Sequence, residues 1–362
     1  MTLAETSLKA RLAAQIRAGG PLTVAQFMTA CLHDPQAGYY ATRPALGAGG
    51  DFITAPLISQ MFGELIGLWA VETWRGLGRP PRFHLIEAGP GDGSLMTDLL
   101  RAARLDPDFL AAADLWLVET SAPLAARQAE RLAGAAIAPR WASSLAETGE
   151  TGPMILIANE LLDCLPARQF VRVAPGWAER MVGLDETGAL AFGLSACPPG
   201  VIFEHEVPPG SVLELSAAQA ALGGEIGARL ARSGGAALLI DYGRSHFETG
   251  DTLQALRRHQ KVDPLATAGE ADLTVHADFP AVAAAARAEG AAAVLLTQGE
   301  FLHRLGIEAR ARALTRAQPD RAASIARQLA RLTGDDQMGS LFKALCLYVS
   351  HQPPPPAFET AA

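Results

Sequence analysis

A run of glycines bounded by acids is the first place in this chain with chemistry to offer. Glu87-Ala88-Gly89-Pro90-Gly91-Asp92-Gly93 follows a short apolar run and precedes a helical pattern that opens at Ser94. Glycines in such a turn admit positive φ and let a ligand approach bare backbone. The helix start behind them supplies free N–H groups and the positive end of a dipole. That combination suits a nucleotide held at the carboxyl ends of strands in an open α/β sheet. The spacing is G-x-G-x-G with Ser94 in sixth place, so it is neither the dinucleotide fingerprint nor a P-loop, which would need Gly-Lys-Ser/Thr. Glu87 and Asp92 would repel a pyrophosphate but suit a ligand carrying an ammonium and a sulfonium. Glu119, at the end of the next apolar run, can accept both hydroxyls of a ribose diol. A cationic amino-acid nucleoside, S-adenosylmethionine, meets all of these conditions. The expected cofactor site is Glu87, Gly89, Gly91, Asp92, Gly93 and Glu119.

A second group lies at Asn159-Glu160-Leu161-Leu162-Asp163-Cys164-Leu165-Pro166. It ends a central strand, where a substrate would meet the cofactor. Glu160 and Asp163 would share one face if the segment were a helical turn. Equally, Asp163 or Asn159 would cap a short helix halted before Pro166; the two readings are compatible. Asp51 and Thr54 fall in a glycine-rich loop from which a cover over the cofactor would come, or which is merely a capped turn. Asp241 either lines the cleft or caps a turn. His259 is read as solvated, and Glu270 and Asp272 as capping a turn.

These residues need a frame. Short helices are expected over 8–18 and 24–32 and a strongly apolar helix over 57–75. From residue 83 strands alternate with helices: strands 83–88, 115–119, 139–142, 154–158, 236–240, 292–297 and 342–349, with helices 94–104, 122–132, 217–232, 279–289 and several after 299. Such alternation means a parallel sheet covered on both faces. Residues 167–193 break the rhythm with turns at Pro175-Gly176 and Glu186-Thr187-Gly188, the mark of an antiparallel meander inserted beside the core. The polar stretch 244–275 reads as a mobile functional loop with one short strand, Leu273-Thr274-Val275, and the proline run 353–356 as a disordered stub.

Composition narrows the class. With 362 residues, 49% hydrophobic and a net charge of −8, the chain can bury a large core and is not intrinsically disordered. The acidic balance excludes a general nucleic-acid binder, which needs clustered Lys and Arg. The densest apolar stretch, 281–296, is broken by Arg287, Glu289 and Gly290, so no membrane insertion is expected. Four scattered cysteines without a CxxC pair speak against zinc and for a reducing compartment. With no secretory pattern in residues 1–20, a cytoplasmic location is expected.

Taken in order, Gly50-Asp51-Phe52-Ile53-Thr54-Ala55-Pro56, Ile58-Ser59-Gln60-Met61-Phe62-Gly63-Glu64, the glycine motif, Asn159-Glu160-Leu161-Leu162-Asp163, Ile240-Asp241-Tyr242-Gly243 and Gln337-Met338-Gly339-Ser340-Leu341-Phe342-Lys343 are distinctive. Through them the chain resembles the MidA family of S-adenosylmethionine-dependent methyltransferases over about residues 20–349. Mitochondrial members of that family are complex I assembly factors and protein arginine methyltransferases. The resemblance implies a Rossmann-like class I methyltransferase fold over 80–350, an N-terminal helical lid segment over 1–79, the β insertion 167–193 and a Pro-rich tail 351–362. It implies methyl transfer to an arginine of a protein partner, a respiratory complex I subunit, and is compatible with a homodimer. A protonated guanidinium has its lone pairs delocalised, so a carboxylate holding one end of the fork would leave the other nitrogen nucleophilic. Glu160 is the first choice for that clamp and Asp163 the second, with Asn159 beside both and also at the cofactor. The sequence departs from the family pattern at Leu57, where Glu is common, and at Trp141-Ala142-Ser143, where Trp-His-Asp is common. The second departure leaves Ser143 or a backbone N–H to meet the adenine. A small-molecule O- or N-methyltransferase and an assembly chaperone that binds the cofactor without turnover stay open as alternatives.

Overall fold

Seven apolar runs build the main sheet, and its order fixes where a ligand can sit. The computed structural model describes residues 7–42, 54–149, 151–203 and 205–359. Asp51 and the glycine-rich stretch around it, like residues 1–6, lie outside the described residues. The core strands are β1 (Phe83–Ala88), β2 (Ala113–Val118), β3 (Arg140–Ala142), β4 (Met154–Asn159), β5 (Gly235–Arg244), β6 (Ala291–Thr297) and β7 (Phe342–Val349). They lie in the order β3-β2-β1-β4-β5-β7-β6, and the two-residue strand Ala277–Asp278 adds to the end of β5. All neighbours pair in parallel except β7, which runs antiparallel to both β5 and β6. This is the doubly wound plan with an antiparallel strand between its last two, the expected Rossmann-like class I methyltransferase fold. The order reverses between β1 and β4, which opens a crevice at their carboxyl ends.

Continuous apolar runs make these strands because both faces are covered. Leu85, Ile155, Ile157 and Leu238 point to a core under the helices Gln60–Gly76 and Ser94–Ala103. Ile86, Leu156 and Leu239 point the other way, under Ala217–Ser233 and Phe279–Ala288. The apolar helix expected over 57–75 is two pieces, Ala55–Ile58 and Gln60–Gly76, because Ser59 adopts extended backbone and its hydroxyl caps the second by accepting from the Met61 N–H at 3.3 Å.

A second, smaller core joins segments far apart in sequence. The helices Leu8–Gly19 and Val24–His33 bury Leu12, Phe27 and Met28 against Val182 and Leu190 of the meander and against Ala255, Ala271 and Leu273. Two expectations change here. The meander does not stop at 193: strands Arg168–Arg172, Trp177–Leu184 and Leu190–Ala196 are joined by Val212–Leu215, and Leu22–Thr23 pairs with the second of them. The polar stretch 244–275 holds the one short strand expected, at Asp272–Thr274, but is otherwise no loop: Gln254–Arg257 and Gln260–Val262 complete a three-stranded sheet, held by its few apolar residues. The segment 1–79 is likewise not one body, since Gln60–Gly76 packs on the main sheet.

The tail is also corrected. Phe358 is 1% exposed, with its ring 5.3 Å from Phe301, and Arg304 Nη1 donates to the carbonyls of Ala357 (2.9 Å) and Glu359 (3.1 Å). Prolines hold the approach extended, and burying one phenylalanine contributes about 1.5–3 kcal/mol.

Candidate active site

A cavity of about 560 Å³ opens at the carboxyl ends of β1 and β4. On the β1 side the chain turns through Gly89, Gly91 and Gly93 at φ 67°, 54° and 81°, the left-handed region where a Cβ is costly. Gly93 caps the helix Ser94–Ala103, and Asp92 closes the turn: Oδ1 accepts from the Ser94 N–H (3.0 Å) and Oδ2 from Arg131 (2.7 Å). Asp92 is therefore already engaged. Glu87 is not. It is 2% exposed, its Oε2 is buried with no hydrogen-bond partner among the described residues, and burial, then Asp92 and Glu119, pushes its pKa well above the carboxylate range. A buried acid left short of donors calls for a cation.

Glu119 follows β2 and is held in place. Oε1 accepts from the Ser121 N–H (2.7 Å) and Oε2 from Gln128 Nε2 (3.1 Å); burial raises its pKa against those bonds. Gln128 is wholly buried and also donates to the Gly91 carbonyl (2.8 Å), while its Oε1 accepts from Trp141 Nε1 (2.9 Å). One amide thus sets both the glycine turn and the acid beyond it.

Across the crevice β4 ends in Asn159. Its Oδ1 is buried without a partner among the described residues, and its Nδ2 donates to Glu160 Oε1 (2.9 Å). The Ala55 N–H donates to the same oxygen at 2.9 Å, so the segment Thr54–Leu57 closes over the cavity. Oε2 of Glu160 has no hydrogen-bond partner among the described residues. Glu160 itself stands at φ 52°, a strain of about 1–2 kcal/mol for a residue with a Cβ. The sheet imposes it, because the Glu160 N–H still donates to the Ile240 carbonyl (2.8 Å). Burial pushes its pKa up to about 7.

Asp163 also lines the cavity, with its pKa raised to about 6 by burial. Residues 161–165 form turns and no helix, so neither a helical face shared with Glu160 nor a helix cap applies. The turn is shaped by Asp241, which is fully buried: Oδ2 accepts from the Asp163 N–H (3.0 Å) and Oδ1 from the Tyr242 N–H (2.7 Å). Asp241 lines no part of the cavity, and burial followed by the charges of Asp163 and Glu160 pushes its pKa well up.

The crevice brings together Thr54, Glu87, Gly89, Gly91, Asp92, Glu119, Asn159, Glu160 and Asp163. Gly93 sits behind it as the helix cap. Ser143 is drawn away, its N–H and hydroxyl both donating to Glu147 (2.8 and 2.6 Å), and Ser144 lines the wall in its place. His259 is exposed on a hairpin turn. Sequence reasoning missed Tyr40, Asp272 and Gln128. Tyr40 lines the far end with His33 and donates its hydroxyl to Asp272 Oδ1 (3.0 Å); Asp272 is buried in the wall, not capping a turn. Nothing local announced that pair. Gln128 had a signal: it recurs four residues after Leu124, the only uncharged amide on the buried face of its helix.

The orphaned acceptors fit the expected cofactor. Glu87 Oε2 and Asn159 Oδ1 can receive an ammonium, which has three donors and no acceptor, and Glu119 can receive a diol. Sheet order, glycine turn and acceptors together define an S-adenosylmethionine-dependent methyltransferase. The family model described as "Putative S-adenosyl-L-methionine-dependent methyltransferase" matches residues 65–297, and the chain belongs to that family. Among its relatives is the Drosophila melanogaster protein named Protein arginine methyltransferase NDUFAF7 homolog, mitochondrial, 35% identical over 94% of this chain and 85% of that one. The human Protein arginine methyltransferase NDUFAF7, mitochondrial, is 34% identical over 85% of this chain and 75% of its own. A Burkholderia thailandensis protein crystallised with S-adenosyl-homocysteine superposes with a TM-score of 0.84 at 28% identity, covering 97% of this chain and 94% of that one. The expected family, enzyme class and cofactor therefore stand. The expected cytoplasmic location does not: the relatives are named mitochondrial. Among the described residues no helix is long and apolar enough to cross a membrane, and no group of His, Cys, Asp and Glu could hold a metal ion.

Proposed function

We propose that this methyltransferase acts on an arginine side chain of a protein partner, with Glu160 clamping the guanidinium, Asp163 beside it and Asn159 shared with the cofactor. The observation that carries the reading is Glu160: one carboxylate oxygen is fixed by two donors and the other is left without one, facing the cavity that also holds Glu87. Relatives named protein arginine methyltransferases support it.

S-adenosylmethionine, when bound, supplies a methyl carbon activated by its sulfonium. The task left to the chain is alignment, worth about 7–11 kcal/mol in well-oriented systems. Glu87 and Asn159 would hold the amino-acid end and Glu119 the ribose. Glu160 Oε2 would accept from one end of the guanidinium fork and keep the positive charge there, leaving the far nitrogen nucleophilic. The departing proton leaves for solvent after transfer, and no strong base is required.

From the family resemblance, the partner is proposed to be a subunit of respiratory complex I. On the same footing stand a transferase core over 80–350 carrying the insertion, a cofactor-covering role for Asp51 and Thr54, and a homodimer. Incubation with methyl-labelled cofactor and native cell extract tests the reading. Label in a protein band, recovered as methylarginine on hydrolysis, is expected. Label confined to a small product, or no label at all, refutes it.

A further inference from the structure

The purine of the cofactor needs its own slot, and the withdrawal of Ser143 leaves open which group meets its exocyclic amine. Part of the cavity lining has no role yet: apolar Leu145, Leu156, Ala218 and Leu222, together with exposed Glu225, beside half-buried Ser144. Apolar walls with a polar edge are what a flat heterocycle requires.

The helix Ala217–Ser233 supplies one wall, and its rotation is fixed from two sides. On one side, Gly223 and Gly227 let it lie directly on the helix Phe279–Ala288; a Cβ there would come within 2.4 Å of the Val282 carbonyl and 2.6 Å of that of Ala286. On the other, buried Arg229 reaches the Leu145 carbonyl (3.1 Å), Thr148 Oγ1 (2.6 Å) and the Gly149 carbonyl (2.6 Å). Ala218, Leu222, Glu225 and Arg229 follow at spacings of four, three and four, which is one helix face. Because Arg229 is anchored on the segment after β3, Glu225 one turn earlier is held in the cavity lining beside Leu145 and Leu222. It is exposed there and has neither a hydrogen bond nor an ion pair among the described residues.

We infer that Glu225 is the acceptor for the adenine exocyclic amine, a specificity-determining residue contributed by this helix instead of by the strand end at Ser143. The amine donates and a carboxylate only accepts, so the pairing selects adenine over a purine with oxygen at that position. The inference rests on the cofactor and not on the arginine reading, and its test contains no methyl acceptor, so the two can fail separately.

The test is calorimetric binding of S-adenosylhomocysteine and of S-inosylhomocysteine, its 6-oxo counterpart, to the wild-type protein and to Glu225→Gln. The wild type should prefer the adenosyl compound by about tenfold or more, the effect of one hydrogen bond to a charged acceptor. In Glu225→Gln the adenosyl compound should weaken by about tenfold while the inosyl compound holds or gains, because the new amide can donate to the oxygen. Thermal melts without ligand should coincide, since Glu225 is exposed. A preference unchanged by the substitution, or an equal loss for both compounds, would overturn the assignment.

Discussion

Replacing Glu160 by Gln tests the clamp more sharply than isosteric swaps usually do. The Ala55 N–H and Asn159 Nδ2 both donate to Oε1 at 2.9 Å, so the amide that the substitution introduces must turn its carbonyl oxygen to them. Its NH2 is then forced toward the cavity, and a donor faces a guanidinium that also only donates. The loss includes the charge itself. For charges about 4 Å apart at an effective dielectric of about 20, the Coulomb term is about 4 kcal/mol, or roughly a thousandfold in kcat/KM. Cofactor affinity and melting temperature should change little, because the two donors stay satisfied. The pH profile gives a second readout. Burial pushes the carboxyl's pKa up to about 7, so wild-type kcat/KM should rise with pH around that value as the clamp ionises, and the limb should vanish in the variant. Initial-rate methyl transfer to the native protein substrate over about pH 5.5–8.5, beside calorimetry of the cofactor, measures all of this. A Glu160→Gln enzyme with full turnover would refute the clamp.

Three further outcomes follow from the site and the tail. Gly91→Val should abolish S-adenosylmethionine binding, since a β-branched side chain at φ 54° is strained and would fill the backbone approach; normal calorimetric binding in a folded variant would contradict the cofactor geometry. Glu119→Ala should lower cofactor affinity by about 1.5–3 kcal/mol while leaving the protein soluble, because the carboxylate lies in the crevice and not in the core. Phe358→Ala should destabilise the protein by about 3–5 kcal/mol in chemical denaturation, and a loss under about 1 kcal/mol would mean that the tail contributes no anchorage.

The legible parts of the fold were those where local pattern and tertiary environment agree. All seven core strands could be read because each is a mostly apolar run closed by turn residues, and one side of the cavity could be read because Glu87, Gly91 and Glu119 stand at or just after strand ends. The opposite side was half legible. Glu160 was expected in the cavity and lines it, but its left-handed backbone goes with the hydrogen bond to Ile240, a residue eighty positions away. Asp272 was misread because its partner Tyr40 lies 232 residues distant and no local rule connects them. The stretch 244–275 was misread because its apolar residues are few and become a core only when the N-terminal helices cover them. Ser143 was misassigned because Glu147, four residues on, satisfies both of its polar groups first.

The joining of Tyr40 to Asp272 also sets a timetable for synthesis. At about 5–20 residues per second, the 232 residues between them take on the order of ten to fifty seconds to emerge from the ribosome. During that interval the helices Leu8–Gly19 and Val24–His33 have no finished surface to cover, and Phe27 and Met28 stay open to chaperones or to other chains. By contrast, β1, β2 and β4 are all present by residue 159, so the cofactor end of the crevice can begin to assemble first. The end lined by Tyr40 and Asp272 must close last. A nascent chain arrested before residue 272 would therefore carry the glycine turn and Glu160 but not the Tyr40–Asp272 pair, and destabilising substitutions in the smaller core should act on the yield of folded protein more than on the cofactor affinity of what has folded.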